Sequence, residues 1–213
     1  MKTYYILMVI NLSLFAMPFL TGLSRLKNLD STLRIFLLLT GISFTGECLA
    51  YFAAFRYRNN YPVYAILSIA EMVVASIYFN YSIRSFRKYN LGFFIAAFSL
   101  LAGITNLVFF QSMYAMTTYY LYYQSVAIIM MGLIAMFQVL LPNDDLNRKD
   151  ITHFWIAGTM VFFWCITLLN WGLYDCFTAR LKEQKFLIDY FLLAICCITN
   201  LGYTIILLKH SKN

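Results

Sequence analysis

The sequence predicts an all-α fold: a polytopic helical membrane bundle of seven transmembrane helices, forming a single integral membrane domain over residues 1–213. Three observations predict it. First, 62% of the chain is hydrophobic and only 12% charged, with a mean hydropathy of +0.72, whereas about a quarter of an ordinary soluble domain is charged. Second, the apolar residues fall into seven stretches, each close to the ~20 residues that cross ~30 Å of hydrocarbon at ~1.5 Å per residue. Third, the polar segments between them are short and carry most of the Lys and Arg.

The stretches lie at roughly 4–23, 35–55, 62–83, 91–111, 119–141, 153–174 and 187–208. The first resembles a signal peptide in having Lys2 before an apolar run. Its run is long enough to span, carries Asn11 and Pro18, and lacks an A-x-A-like end, so it reads as a membrane helix. The second follows a loop with Arg25, Lys27, Asp30 and Arg34, and the third follows a tight basic turn that ends at Pro62. The fourth follows Arg84, Arg87 and Lys88. Only the uncharged segment Ser112–Thr118 separates it from the fifth, which leaves a six-helix alternative with a re-entrant stretch. The sixth follows the most polar loop, with Asp144, Asp145, Arg148, Lys149 and Asp150, and the seventh follows Asp175–Phe186. Only helices or closed barrels satisfy backbone polar groups in lipid, and barrel strands would show alternating segments half this length.

Orientation follows from the positive residues. With the N-terminus outside, ten of the 16 Lys and Arg lie on the cytoplasmic side, so the chain is expected to run N-outside, C-cytoplasmic. The net charge of +7 then belongs to loops that face anionic headgroups. No loop has the basic run or aromatic platform of a nucleic-acid module, so no nucleic acid is expected as a partner. The lipid bilayer is the expected environment, with a protein partner or a second copy as possible company. Aromatic residues make up 19% of the chain, many of them near the ends of the stretches, where amphipathic rings favour the interface.

Chemistry-bearing residues are few. Cys48, Cys165, Cys176, Cys196 and Cys197 form no C-x-x-C pair, so neither a metal site nor a disulfide framework is expected. H-E-x-x-H, G-x-S-x-G and phosphate-cradling glycine loops are all missing. The last stretch has no lysine for a Schiff base. No catalytic residue, metal or cofactor is therefore assigned.

Glu47 and Glu71 stand out, because a charged side chain at mid-membrane costs ~3 kcal/mol or more and usually faces the bundle interior. Thr40, Ser43, Ala50 and Tyr51 lie at helical spacing around Glu47, and Tyr64, Ser68, Ala75 and Tyr78 around Glu71. Each glutamate lies 12 residues from Asn59, so an antiparallel hairpin would set both about 18 Å from the turn. Two carboxylates at one depth could share a proton. They could serve a proton relay, a cation site or a polar ligand pocket, or be protonated groups that bond across helices as packing glue. Ser43, Ser68, Tyr51 and Asn106 complete this expected intramembrane site.

A second polar set comprises Gln124, Asn170 and Asn200, with Gln138 and Thr105, Thr167 and Thr199; it reads as interhelical glue that could also line a cavity. His153, three residues after Asp150, reads as an interfacial cap. Asp175 and Asp189 read as solvated loop ends. Trp155, Trp164 and Trp171 read as packing or interface anchors.

The hairpin Arg56–Tyr64 (RYRNNYPVY), the following segment ILSIAEMVVASIYF with Glu71, and Thr199–Leu208 (TNLGYTIILL) resemble small seven-transmembrane-helix membrane proteins of Bacteroidetes-type bacteria. Some of those resemble the membrane sensor portions of histidine kinases. The resemblance spans nearly the whole chain. It implies the bacterial inner membrane and a sensing role through a separate partner, and no established activity. The reading favoured here is a non-enzymatic sensor, scaffold or partner-binding subunit that acts through helix contacts. The alternatives are a small proton- or cation-linked transporter or channel using Glu47 and Glu71, a bacterial defence-associated membrane effector, or a membrane-embedded lipid enzyme with His153, Asp144, Asp145 and Asp150 as its thin candidate cluster.

Overall fold

The structure, a computed structural model, describes residues 2–141, 148–180 and 185–210, with side chains described for 8–141, 150–172 and 190–210. Eight α-helices make up almost all of it: α1 (Lys2–Ser24), α2 (Ser31–Tyr57), α3 (Tyr61–Ser82), α4 (Arg84–Tyr89), α5 (Leu91–Thr105), α6 (Thr118–Leu140), α7 (Arg148–Arg180) and α8 (Lys185–Lys209). Six helical segments are long and apolar enough to cross a membrane: Ser31–Tyr57, Tyr61–Ser82, Leu91–Phe110, Thr118–Leu140, Asp150–Gly172 and Tyr190–Lys209. The chain is thus a multi-pass helical membrane protein. The apolar part of α1 with described side chains, Met8–Ser24, is shorter than these six.

Local chemistry sets the helix ends. The Asp30 carboxylate accepts the Leu33 amide at 2.8 Å and caps the start of α2, three to four residues before the apolar stretch begins. Arg58 ends α2 in the left-handed region at φ 57°. The Asn59 side chain then accepts the Tyr61 amide at 2.9 Å, and Pro62 sits in the first turn of α3, where its missing N–H costs nothing. The expected polar loop at Arg84–Asn90 is instead the short helix α4, ended by Asn90 at φ 54°, a conformation that Asn adopts more readily than most residues. Helix α7 likewise extends beyond its apolar stretch at both ends, because charged residues in water continue a helix as readily as apolar ones in lipid.

The uncharged segment between the fourth and fifth stretches is a true break. After α5 the chain makes one π-helical turn, Asn106–Phe110, and leaves helical geometry at Gln111. The Gln111 carboxamide holds the connection. Its oxygen accepts from Asn106 and from the Tyr119 amide, and its Nε2 donates to Thr118 Oγ1 at 2.9 Å.

Helices α1, α2, α3, α6, α7 and α8 form a closed ring, each packed on the next and α8 on α1, while α5 lies outside it against α3. Arg25 closes the ring at one end by donating from Nη1 to the carbonyls of Leu207, Leu208 and His210, which cap the end of α8. Glycine permits the closest approach of α5. A Cβ on Gly92 would run into the Asn80 side chain and the Ser76 carbonyl of α3, and the Gly92 amide donates to Asn80 Oδ1 at 3.0 Å. The outward face of α5 presents Phe94, Phe98 and Leu101, as lipid contact requires.

At the end nearest Arg25 the middle of the ring is filled, although a cavity of about 520 Å³ opens between α7 and α8 there, lined by Thr152, Thr159, Ile206 and His210. Leu33, Phe36, Tyr78, Phe79, Ile83 and Ile156 are all fully buried. Phe36 lies between Tyr203, edge-on at a ring separation of 5.0 Å, and Tyr78 at 5.7 Å.

Candidate functional site

The opposite end of the ring is hollow. Two adjoining cavities of about 380 and 270 Å³ share Tyr64, Leu67, Glu71, Leu121, Trp164 and Trp171 as common wall. The first reaches the membrane surface at Asn60 and at Ala115–Thr117 in the connection before α6. The second extends down the ring axis to Phe36, Ala75, Ile128 and Tyr203, where the solid core begins. All six ring helices contribute to this chamber, and α5 contributes nothing.

Glu47 and Glu71 both face the chamber, from α2 and α3. Two neutral groups hold Glu47 Oε2: Asn11 Nδ2 of α1 donates at 3.3 Å and the Tyr64 hydroxyl of α3 at 3.2 Å. Asn11 also donates to the Tyr51 hydroxyl at 3.0 Å. Glu71 Oε1 lies 2.5 Å from the Ser43 hydroxyl, which also reaches the Leu39 carbonyl. A serine hydroxyl has one proton and two lone pairs. A carboxyl proton on Glu71 would therefore let Glu71 donate to Ser43 and Ser43 donate to Leu39. Helices α2 and α3 approach closely here, since Gly46, next to Glu47, is covered directly by Leu67.

Among the described residues, no Lys, Arg or His lines either cavity. The one ion pair among the described residues, Arg84 with Asp150 at 3.5 Å, lies at the other end of the bundle. A buried charge without an opposite charge costs several kcal/mol, so a proton or a bound cation must complete this site. The described residues contain no cluster of three or more potential metal ligands.

The remaining expected site residues divide by position. Ser68 lines the first cavity, with its hydroxyl donating to the Ala65 carbonyl. Gln124 lines the same cavity from α6. It is fully buried, and neither its Nε2 nor its Oε1 has a hydrogen-bond partner. Asn200, Thr199 and Thr167 line the second cavity. Asn200 donates to the Cys196 carbonyl at 2.9 Å and Thr167 to Phe163, while the buried Thr199 hydroxyl has no partner. Asn106 is not part of the chamber. It lies in the π-helical turn at the end of peripheral α5 and serves the Gln111 connection. Asn170 is outside the lining, and Gln138 works at the solid end, where its Oε1 accepts the Arg84 amide and its Nε2 reaches the Ser82 carbonyl. Thr105 is exposed at the end of α5.

Two expectations change. Of the three tryptophans read as anchors, only Trp155 is widely exposed, whereas Trp164 and Trp171 are chamber walls, seven residues apart on one face of α7. His153 is not a cap: its Nδ1 lies 3.0 Å from the Tyr78 hydroxyl, which ties α7 to α3 beneath the chamber. Asp144 and Asp145, and the side chains of Asp175, Cys176 and Asp189, lie outside the described residues. The other four cysteines are half-buried free thiols. Sequence reasoning missed Asn11 as a partner of Glu47. Its signal was a lone amide within an apolar run, one helical turn from Phe15, which also lines the chamber.

No family model, no curated protein and no solved structure matches the chain. What the fold and the chamber define is a class: an integral, multi-pass helical membrane protein with a carboxylate-bearing cavity enclosed by its ring of helices.

Proposed function

We propose that the chain is a seven-span bacterial inner-membrane protein, with α1 as the seventh span, that acts as a non-enzymatic sensor or partner-binding subunit. It takes a small ligand into the Glu47–Glu71 chamber and passes the change in helix packing to a partner. The observation that carries this reading is the chamber that both carboxylates line. It runs from Asn60 and the connection before α6 to the Phe36–Tyr203 floor, with fully buried core beneath. Cavities of this size, apolar with a few convergent polar groups, are the usual form of small-molecule sites. Helix α1 supports the seventh span, because it fills the gap between α2 and α8 and supplies Asn11 to Glu47. The excess of Lys and Arg at the floor end supports placing that end in the cytoplasm and the mouth outside.

A second reading is a proton- or cation-linked carrier held with its floor shut. Among the described residues no basic side chain lines the space with the two carboxylates, which favours it. Liposomes loaded with a pH-sensitive dye separate the two under an imposed proton or cation gradient. A sensor gives no sustained flux from folded wild-type protein. Flux in wild type that disappears in the Glu47→Gln/Glu71→Gln double variant would replace the sensor with the carrier.

A further inference from the structure

We infer that the ligand of the chamber is a small organic ammonium bearing a second, neutral hydrogen-bonding group; this rests on the chamber being a ligand site, as proposed above. Three independent features converge on it. The first is charge. Among the described residues, the other side chains that line the space with Glu47 and Glu71 are all uncharged, and the donors to Glu47 are an amide and a phenol, so these residues supply no counter-charge. A cationic ligand supplies what the lining lacks.

The second feature is the wall around those carboxylates. Tyr64, Trp164 and Trp171 line both cavities, as Glu71 does. Aromatic faces attract organic cations, Trp most strongly, and the attraction grows where water is excluded. A bare inorganic cation would need a shell of oxygen ligands. Cys196 lines the inner cavity with both glutamates, but the described residues form no cluster of three or more acidic, histidine or cysteine side chains placed to hold a metal, and much of the lining is apolar, including Leu67 and Leu121.

The third feature is the pair of unsatisfied polar groups on either side of Glu71. Gln124 lines the outer cavity and Thr199 the inner one. Both are buried, and the Gln124 amide and the Thr199 hydroxyl lack partners. Leaving a buried polar group unpaired costs ~1–3 kcal/mol. An ammonium at Glu71 with a hydroxyl or amide a few bonds away satisfies the carboxylate and, once neighbouring side chains move to uncover it, one of these groups, since neither has surface open to the cavity as it stands.

The test uses full-length protein in nanodiscs, carrying Trp155→Phe so that Trp164 and Trp171 report on the chamber. Three water-soluble probes of nearly equal length are titrated while tryptophan fluorescence and thermal melting are followed: aminobutanol as its ammonium, neutral pentanediol, and the hydroxypentanoate anion. Aminobutanol is expected to bind saturably, with the other two at least about tenfold weaker. Glu71→Gln is expected to erase that preference. Gln124→Leu, which keeps both carboxylates, is expected to weaken aminobutanol to the level of butylammonium, which lacks the hydroxyl. Pentanediol binding as tightly as aminobutanol would overturn the ammonium assignment and leave the ligand chamber standing. Potassium chloride reproducing the aminobutanol signal would overturn it in favour of an inorganic ion. No response to any probe, from protein that still melts cooperatively, would overturn both the ammonium and the chamber as a ligand site.

Discussion

Phe36 and Tyr203 divide the helical ring into two regions built differently from the same six helices. Toward Arg25 the ring axis is filled by large side chains such as Tyr78, Phe79, Ile83 and Ile156, and the helices are cross-tied by polar bonds: Tyr78 to His153, Gln138 to the Arg84 amide, Arg25 to the end of α8. Toward the Arg58–Tyr61 turn, the axis-facing positions of α2, α3 and α8 are small or polar, Ser43, Ser68 and Thr199 among them, and a chamber remains. Water drives little association between helices in lipid, so close packing and interhelical hydrogen bonds must hold them together. The solid region supplies that cohesion largely by packed side chains, and the hollow region by interhelical bonds such as Asn11–Glu47, Tyr64–Glu47 and Ser43–Glu71 around its unfilled volume. The difference teaches that close packing and the candidate chemistry occupy opposite ends of this bundle.

Substitutions at the two ends should therefore behave in opposite ways. The largest loss is expected for Phe36→Ala, which removes a fully buried ring from the floor. It should cost about 3–5 kcal/mol in a denaturant titration of the reconstituted protein, and a cost below that of the chamber substitutions would refute the division. Gly92→Ala comes next. Its methyl would press on the Ser76 carbonyl and Asn80, and backbone yields little, so about 1–3 kcal/mol is expected, with loosening of peripheral α5 detectable by hydrogen exchange. In the hollow region, Glu47→Gln and Glu71→Gln keep an oxygen that accepts from Tyr64 or Ser43. Each should preserve folding to within about 1 kcal/mol, and loss of folded protein in both would make the pair structural glue instead. The smallest effect should have the opposite sign. Gln124→Leu removes an amide with no partner and keeps its approximate shape, so melting should be unchanged or rise by the equivalent of about 1 kcal/mol. A clear fall would mean that the amide is satisfied in the bilayer and does not await a ligand.

Much of the architecture was legible from the sequence, because lipid leaves the backbone almost no choice. Continuous apolar runs of twenty residues must be helices there, and Pro62 marks the start of α3, whereas α4 and its end at Asn90 fall where the sequence read as a loop. That Glu47 and Glu71 face the interior was legible for the same reason, since a mid-membrane carboxylate avoids lipid. The wall around them was not. Trp164 and Trp171 have the periodicity of any anchoring stripe, and a lone Asn11 or Gln124 has the pattern of any interhelical amide. Which face of a helix points inward, and at what level, depends on which helices are neighbours.

The sequence alone determined that this protein is helical and membrane-embedded, and that two carboxylates lie within its helices, since solvation energy acts on each segment separately. The tertiary structure alone decided that α5 stands outside the ring, that α8 returns to α1, and that residues from six helices meet around one chamber above an aromatic floor. These are relations between segments far apart in the chain, set by the fit of whole helix faces against one another, and no single segment encodes its partner.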